Sequence, residues 1–151
     1  MTFFLFLFKY FVSFFQSSIN RLNKGIIITN EDIKKIMKIT GVNESNIKIR
    51  DMGYFAVNKE IIELLKNLNV FRKLDYSKTH DCDNFSSEFS GLCSLVAPNY
   101  SIGECWVHTP TGNHALNCFI DDNKRLLLFE PQNNNVFEPQ TKKYKPYFVM
   151  I

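Results

Sequence analysis

The stretch DCDNFSSEFSGLCSLV, residues 81–96, has the apolar spacing of a helix and stands just before a change to strand spacing. Its apolar positions recur every three or four residues, which marks one buried helix face: Phe85, Phe89, Leu92 and Val96. Cys82 extends the same face back into the first turn. We therefore predict a helix that carries a cysteine at its N-terminus, on the side that packs against the rest of the domain.

The segments around this helix indicate the fold class. Upstream, Thr29 and Asn58 are placed as N-caps of two amphipathic helices. Downstream, four segments have strand spacing: Ser101–His108, His114–Ile120, Arg125–Glu130 and Pro146–Ile151. The polar stretch 131–144 reads as a loop. The prediction is an α+β fold, with N-terminal helices and a central cysteine-bearing helix packed on an antiparallel sheet of about four strands.

Composition narrows the class of partner. The 151 residues carry a formal charge of +3, and no stripe of Lys and Arg is interleaved with aromatic residues. We therefore expect one domain that does not bind nucleic acid.

The four cysteines form no C-x-x-C pair, so zinc-knuckle spacing is absent. We expect three of them to be small buried hydrophobes and one to be reactive.

The first fifteen residues are almost all apolar, with Lys9 as an interruption. As a helix they would span about 22 Å, less than the roughly 30 Å of a bilayer's hydrocarbon core. Three interpretations stay open: a signal or signal-anchor, a helix on a membrane surface or a partner, and a helix buried on the domain. We divide the chain into an apolar segment, 1–24, and a domain, 25–151, with residues 1–15 as the candidate contact for a membrane or partner.

Cys82, His114 and Glu130 stand in the order nucleophile, base and orienting acid. A helix N-terminus and a nearby imidazolium both stabilise a thiolate, whereas the like charges of Asp81 and Asp83 oppose it unless they cap the helix. His114 and Glu130 are symmetric about the predicted turn between their strands, so we expect them to face each other. A carboxylate there would fix the imidazole tautomer, which makes the three residues a candidate catalytic site.

Other residues near this site stay open. His108 is the second choice as base, because it lacks a carboxylate at hairpin spacing. The Cys82 N–H is a first oxyanion donor, and the second could come from several loop residues: Tyr76, Ser77, Thr79 or His80. Gln132 either orients the site or shapes the turn. A metal site built from His80, Cys82, His108 or His114 has no diagnostic spacing.

Residues 81–85, 113–117, 129–132 and 144–151 resemble the C-terminal domain of fungal galactose-binding agglutinins and their small phage and bacterial relatives. That family has a papain-like, transglutaminase-like cysteine protease fold. The resemblance implies that Cys82 is the nucleophile, His114 the base and Glu130 the orienting acid. The chemistry of the three residues itself requires no cofactor. The one cofactor that the resemblance implies is calcium. The expected function is a thiol peptidase that acts on a protein or peptide substrate.

Two alternatives stay open beside this function. An Asp-Cys pair at a helix start followed by a strand histidine also occurs in NlpC/P60-type cell-wall peptidases, although those usually have Ser-Gly where this chain has Asp83-Asn84. The other alternative is a catalytically inactive papain-like domain that binds a partner or a membrane through residues 1–15.

Overall fold

The computed structural model describes residues 2–22, 25–140 and 143–151. Its helices are α1 (Thr2–Leu22), α2 (Asn30–Ile39), α3 (Lys59–Leu68) and α4 (Cys82–Val96). Its strands are β1 (Ile27–Thr29), β2 (Ile47–Lys48), β3 (Gly53–Phe55), β4 (Ile102–Thr109), β5 (Gly112–Ile120), β6 (Leu126–Glu130), β7 (Asn135–Phe137) and β8 (Lys145–Met150). Two short 3-10 turns cover Glu44–Asn46 and Phe71–Lys73.

Local sequence signals account for the helix ends. Thr29 caps α2, since its hydroxyl accepts the N–H of Asp32 at 3.2 Å while its own N–H donates to the Asp32 carboxylate at 3.1 Å. The Asn58 side chain accepts the N–H of Ile61 at 2.9 Å and so begins α3. Gly41 follows α2 with a φ of +91°, a conformation that glycine adopts without strain. Both predicted N-caps are therefore confirmed.

The sheet is larger than predicted. Six strands lie in the order β2-β8-β4-β5-β6-β7, and β1 pairs with β3 in a separate two-stranded sheet. All the pairings in the larger sheet are antiparallel except that of β2 with β8. The α+β class is confirmed, but the expected four-stranded sheet gains an edge strand on each side. One of them, β7, lies inside the predicted loop 131–144.

The larger sheet separates two apolar cores. One face packs with α2, and Leu116, Cys118 and Leu128 belong to that core. The opposite face packs with α4, where Phe89 lies 4.4 Å from Phe129 between ring centroids. Because side chains alternate along a strand, neighbouring residues of β5 and β6 serve different cores. The alternation therefore decides which residues α4 can meet directly.

The helix α1 is divided between two environments. Its second half packs on the domain: Ile19 is 1 % exposed, its carbonyl accepts the Tyr100 hydroxyl, and Gln16 donates to the Leu95 carbonyl at 2.8 Å. Leu5, Phe6 and Tyr10 are more than half exposed. The interpretation of a helix buried on the domain therefore fits the second half, and the division at residue 24 stays a prediction. Among the described helices, none is both long and apolar enough to cross a membrane.

Candidate functional site

His114 and Glu130 form a close pair. The His114 Nε2 lies 2.6 Å from the Glu130 carboxylate, and both side chains are mostly buried. The other Glu130 oxygen accepts the Gln132 N–H at 3.3 Å. Pairing of β5 with β6 ends at Asn117 and Phe129, so Glu130 and His114 are offset beyond the last pair and meet diagonally on one face. The predicted contact between His114 and Glu130 is therefore present, although the two residues lie diagonally and not directly opposite each other.

Cys82 is the first residue of α4 and is partly exposed. Asp81 caps this helix: its carboxylate accepts the Asp83 N–H, and its own N–H donates to the Asn84 side chain at 3.1 Å. A hydrogen bond with the Asp83 carboxyl raises the pKa of Asp81. Partial desolvation raises the pKa of Tyr76, and the nearby carboxylates of Asp81 and Asp83 raise it further. The surroundings of the thiol are therefore acidic.

Hydrogen bonds fix where α4 lies along β5. The Ser86 hydroxyl donates to the Leu116 carbonyl at 2.9 Å, and the Asn117 side chain donates to the Ser86 carbonyl at 2.9 Å. Cys82 lies one helical turn before Ser86, and His114 lies two residues before Leu116. The start of α4 and the start of β5 therefore run side by side.

Strand alternation nevertheless places His114 on one face of the sheet, whereas α4, which carries Cys82, covers the other face. His114 alternates with Leu116 toward the α2 side, whereas α4 covers the face of Asn117 and Phe119. Among the hydrogen bonds of the described residues, none joins the Cys82 sulfur to His114. The pairing of β5 with β6 ends at Asn117, so β6 does not pair with the start of β5, where His114 lies. The placement of Cys82 with the pair stays a prediction.

The other two histidines have different partners. His108 is exposed, its Nδ1 lies 2.8 Å from the Asn113 side-chain oxygen, and its ring stacks on Tyr147 at 4.2 Å. His80 pairs with Glu88, with Nε2 at 3.0 and 3.1 Å from the two carboxylate oxygens. Sequence reasoning missed this second pair, because a loop residue and a helix residue eight positions apart follow no periodic pattern.

An open groove of about 430 Å³ lies on the sheet beside β8, and we call it the aromatic groove. It is lined by Asn46, Trp106, Tyr147 and Phe148. The Trp106 and Phe148 rings meet edge to face at 5.2 Å, and the Asn46 side chain donates to the Tyr147 carbonyl at 3.0 Å. Sequence reasoning missed the groove, because Asn46 and Tyr147 are 101 positions apart. The lone tryptophan was the one available signal.

The three remaining cysteines are buried, and the described side chains form no cluster that could bind a metal. Cys93, Cys105 and Cys118 are buried, as expected, and burial raises the pKa of all three thiols, that of Cys118 to about 12. In the part of the chain that the structure describes, no group of three or more His, Cys, Asp or Glu residues could hold a metal ion.

Comparison with known proteins gave structural neighbours only. No family model matches the sequence, and no curated protein matches it. One similar structure is a PSL1a–E64 complex, with a TM-score of 0.68 and 19 % identity over 83 % of this chain. Another is the Polyporus squamosus lectin bound to the human-type influenza-binding epitope Neu5Aca2-6Galb1-4GlcNAc, with a TM-score of 0.67 and 20 % identity over 83 % of this chain. This chain spans about half of each neighbour, 51 % and 49 %.

These findings contradict the assignment to the papain-like, transglutaminase-like cysteine peptidases. The neighbour named for its function is a lectin bound to a glycan, and no family model or curated protein supports a peptidase. The predictions of a thiol protease and of a protein or peptide substrate are corrected with it, as are the NlpC/P60-type and inactive papain-like alternatives.

Proposed function

We propose that this protein binds carbohydrate and that the aromatic groove holds the ligand. A sugar ring presents a C–H face that packs on an aromatic ring, while its hydroxyls need polar partners at the edge. The groove supplies both: Trp106 and Phe148 line it with aromatic rings, and Asn46 lines it with a side-chain amide. The edge-to-face pair of Trp106 and Phe148 is the observation that carries the proposal.

Strand pairing and ring stacking hold the aromatic residues of the groove in place. Trp106 lies opposite Phe148 in the pairing of β4 with β8, and the register shifts directly after Trp106. Tyr147 falls in this irregularity, and its ring is held against His108 with only 15° between the planes. A site whose rings are fixed before the ligand arrives loses less side-chain freedom on binding.

The glycan in the lectin neighbour suggests the first ligand to test. Neu5Aca2-6Galb1-4GlcNAc carries a carboxylate on its terminal sugar. In this chain Lys145 is exposed and lies two residues before Tyr147 on β8, so an acidic sugar in the groove would have a positive charge nearby. We propose a sialylated glycan as the ligand class, with the uncharged disaccharide Galb1-4GlcNAc as the comparison.

Titration calorimetry with both glycans tests this proposal. Trp106→Ala should weaken binding by roughly tenfold or more, since buried aromatic anchors dominate such contacts. Phe6→Ala is the matched control, because Phe6 is an exposed aromatic on α1 and does not line the groove. Binding that is equal in wild type and Trp106→Ala, or absent for both glycans, would rule out the groove as a carbohydrate site.

As a second candidate, we propose that Cys82, His114 and Glu130 share a site with a reactive thiol. The Glu130 carboxylate accepts a hydrogen bond from the His114 Nε2–H, which leaves Nδ1 as the basic nitrogen of the ring. An imidazole held in this tautomer can take the proton of a thiol that reaches it at the start of β5, where the pairing with β6 has ended. The resulting thiolate would bind an electrophile covalently, which requires no turnover.

The epoxide E64, present in one neighbour's structure, is a suitable probe of this thiol. The Cys82 thiolate would attack an epoxide carbon, the C–O bond would break, and the alkoxide would take up a proton. His114→Ala should slow labelling of Cys82 by about a hundredfold, as loss of a positioned base does. His108→Ala should leave it unchanged, because His108 lies on Asn113 and Tyr147. An equal rate of Cys82 labelling in the wild type and in His114→Ala would show that the histidine is not part of the site.

A further inference from the structure

We infer that His80 is a positioning residue, which fixes the start of α4 and thereby the place of the Cys82 thiol. The inference concerns the second histidine–glutamate pair, and its effect on the thiol rests on the proposed reactive site. His80 lies two residues before Cys82, and Glu88 lies six residues after it on the same helix. The pair therefore ties the chain that enters α4 to the helix itself.

The contact is specific in its geometry. The His80 Nε2 lies 3.0 and 3.1 Å from the two Glu88 oxygens, so one ring nitrogen meets the whole carboxylate. The His80 ring also meets the Phe85 ring edge to face at 4.4 Å. Phe85 is 1 % exposed and cannot move without disturbing the core. Glu88 and Phe85 thus hold the imidazole from two sides.

The backbone around His80 transmits this restraint to the helix cap. Ser77 donates its N–H to the His80 carbonyl at 2.8 Å, and His80 returns a hydrogen bond to the Ser77 carbonyl at 3.3 Å. The next residue after this small closed turn is Asp81, the N-cap of α4. A fixed His80 therefore fixes the cap, and the cap sets the direction of the first helical N–H groups around Cys82.

The other ring nitrogen shows that contact with water does not explain the buried orientation of the His80 ring. The His80 Nδ1 is buried and has no hydrogen-bond partner among the described residues. A buried polar atom without a partner is unfavourable, so the ring would gain a water contact by swinging outward. The bond to Glu88 keeps it inside. Loss of Glu88 should therefore release the ring and loosen the segment before Cys82.

Hydrogen exchange and E64 labelling test the inference together. His80→Ala and Glu88→Ala should each speed amide exchange in the first turn of α4 by roughly fivefold and slow the limiting rate of Cys82 labelling by a similar factor. His80→Gln should recover both, because a glutamine amide can still donate to Glu88. Gln16→Ala is the matched control, since it removes a hydrogen bond at the other end of α4.

The outcomes separate the two proposals. Exchange and labelling that are unchanged in His80→Ala would overturn the inference. Faster exchange with no recovery in His80→Gln would overturn it too, since the side chain would then act by bulk alone. Faster exchange, recovered by glutamine, in a protein whose Cys82 never reacts would support the positioning of α4 and refute the reactive thiol.

Discussion

Two glycines should respond to the same substitution with opposite signs. Gly91 lies on the exposed side of α4, and a Cβ added there would meet nothing within 4 Å. Gly103 lies in β4, where an added Cβ would clash with the Met150 carbonyl oxygen and lie 2.8 Å from the Ile151 side chain. Gly91→Ala should therefore stabilise the protein, and Gly103→Ala should destabilise it.

The magnitudes follow from what each methyl group meets. In a helix interior, alanine is better than glycine by about 0.5–1 kcal/mol, because glycine loses more backbone freedom on folding. Overpacking usually costs about 1–3 kcal/mol, and Gly103→Ala should reach the upper end or exceed it because backbone must move. Relief would require β4 and β8 to separate, and these strands carry Trp106 and Phe148.

Urea unfolding of both variants measures the difference. We expect a higher midpoint for Gly91→Ala and a lower one for Gly103→Ala, with similar slopes if both unfold cooperatively. Gly103→Ala should also weaken glycan binding, because the aromatic groove spans the same two strands. Equal stability changes of one sign would refute the close approach of β8 to Gly103.

Two further predictions concern charged and thiol groups. The hydrogen bond from Lys124, followed by those from the Thr29 N–H and hydroxyl, lowers the pKa of Asp32 from 3.8 to about 2. The ionised Asp32 carboxylate therefore contributes stability above about pH 4, and this contribution is lost as the pH falls through 2. Asp32→Asn should lower the free energy of unfolding by about 1 kcal/mol at pH 7 and by almost nothing near pH 2. Urea unfolding at both pH values measures the difference. Because burial raises the pKa of Cys93, Cys105 and Cys118, iodoacetamide should label these thiols only after unfolding, and mass mapping that finds any of them labelled at the Cys82 rate in the native protein would contradict their burial.

Local signals made the helices and the main strands predictable. The caps at Thr29, Asn58 and Asp81 bond to residues two or three positions away, so the sequence around them is sufficient. The edge strands β2 and β7 were missed because two or three residues are too few to show alternation. They exist because longer strands, β8 and β6, offer them open edges.

The candidate site was predictable only in part. A hairpin brings residues together by symmetry, so the pairing of His114 with Glu130 could be inferred from their positions. No such rule relates Cys82 to them, since that depends on which face α4 covers and where β5 parts from β6. The peptidase assignment followed short motifs, and the structural neighbours contradicted it.

Four features could be predicted from the order of the amino acids alone: the class of fold, the cysteine at a helix start, the burial of the other three thiols and the histidine–glutamate pair of one hairpin. Each of these depends on spacing along a short piece of chain. Four other features became visible only in the folded chain: the width of the sheet, the aromatic groove, the contact between His80 and Glu88, and the opposite sheet faces of α4 and His114. Those features join residues that no local periodicity relates, and their positions are set by how separate elements pack.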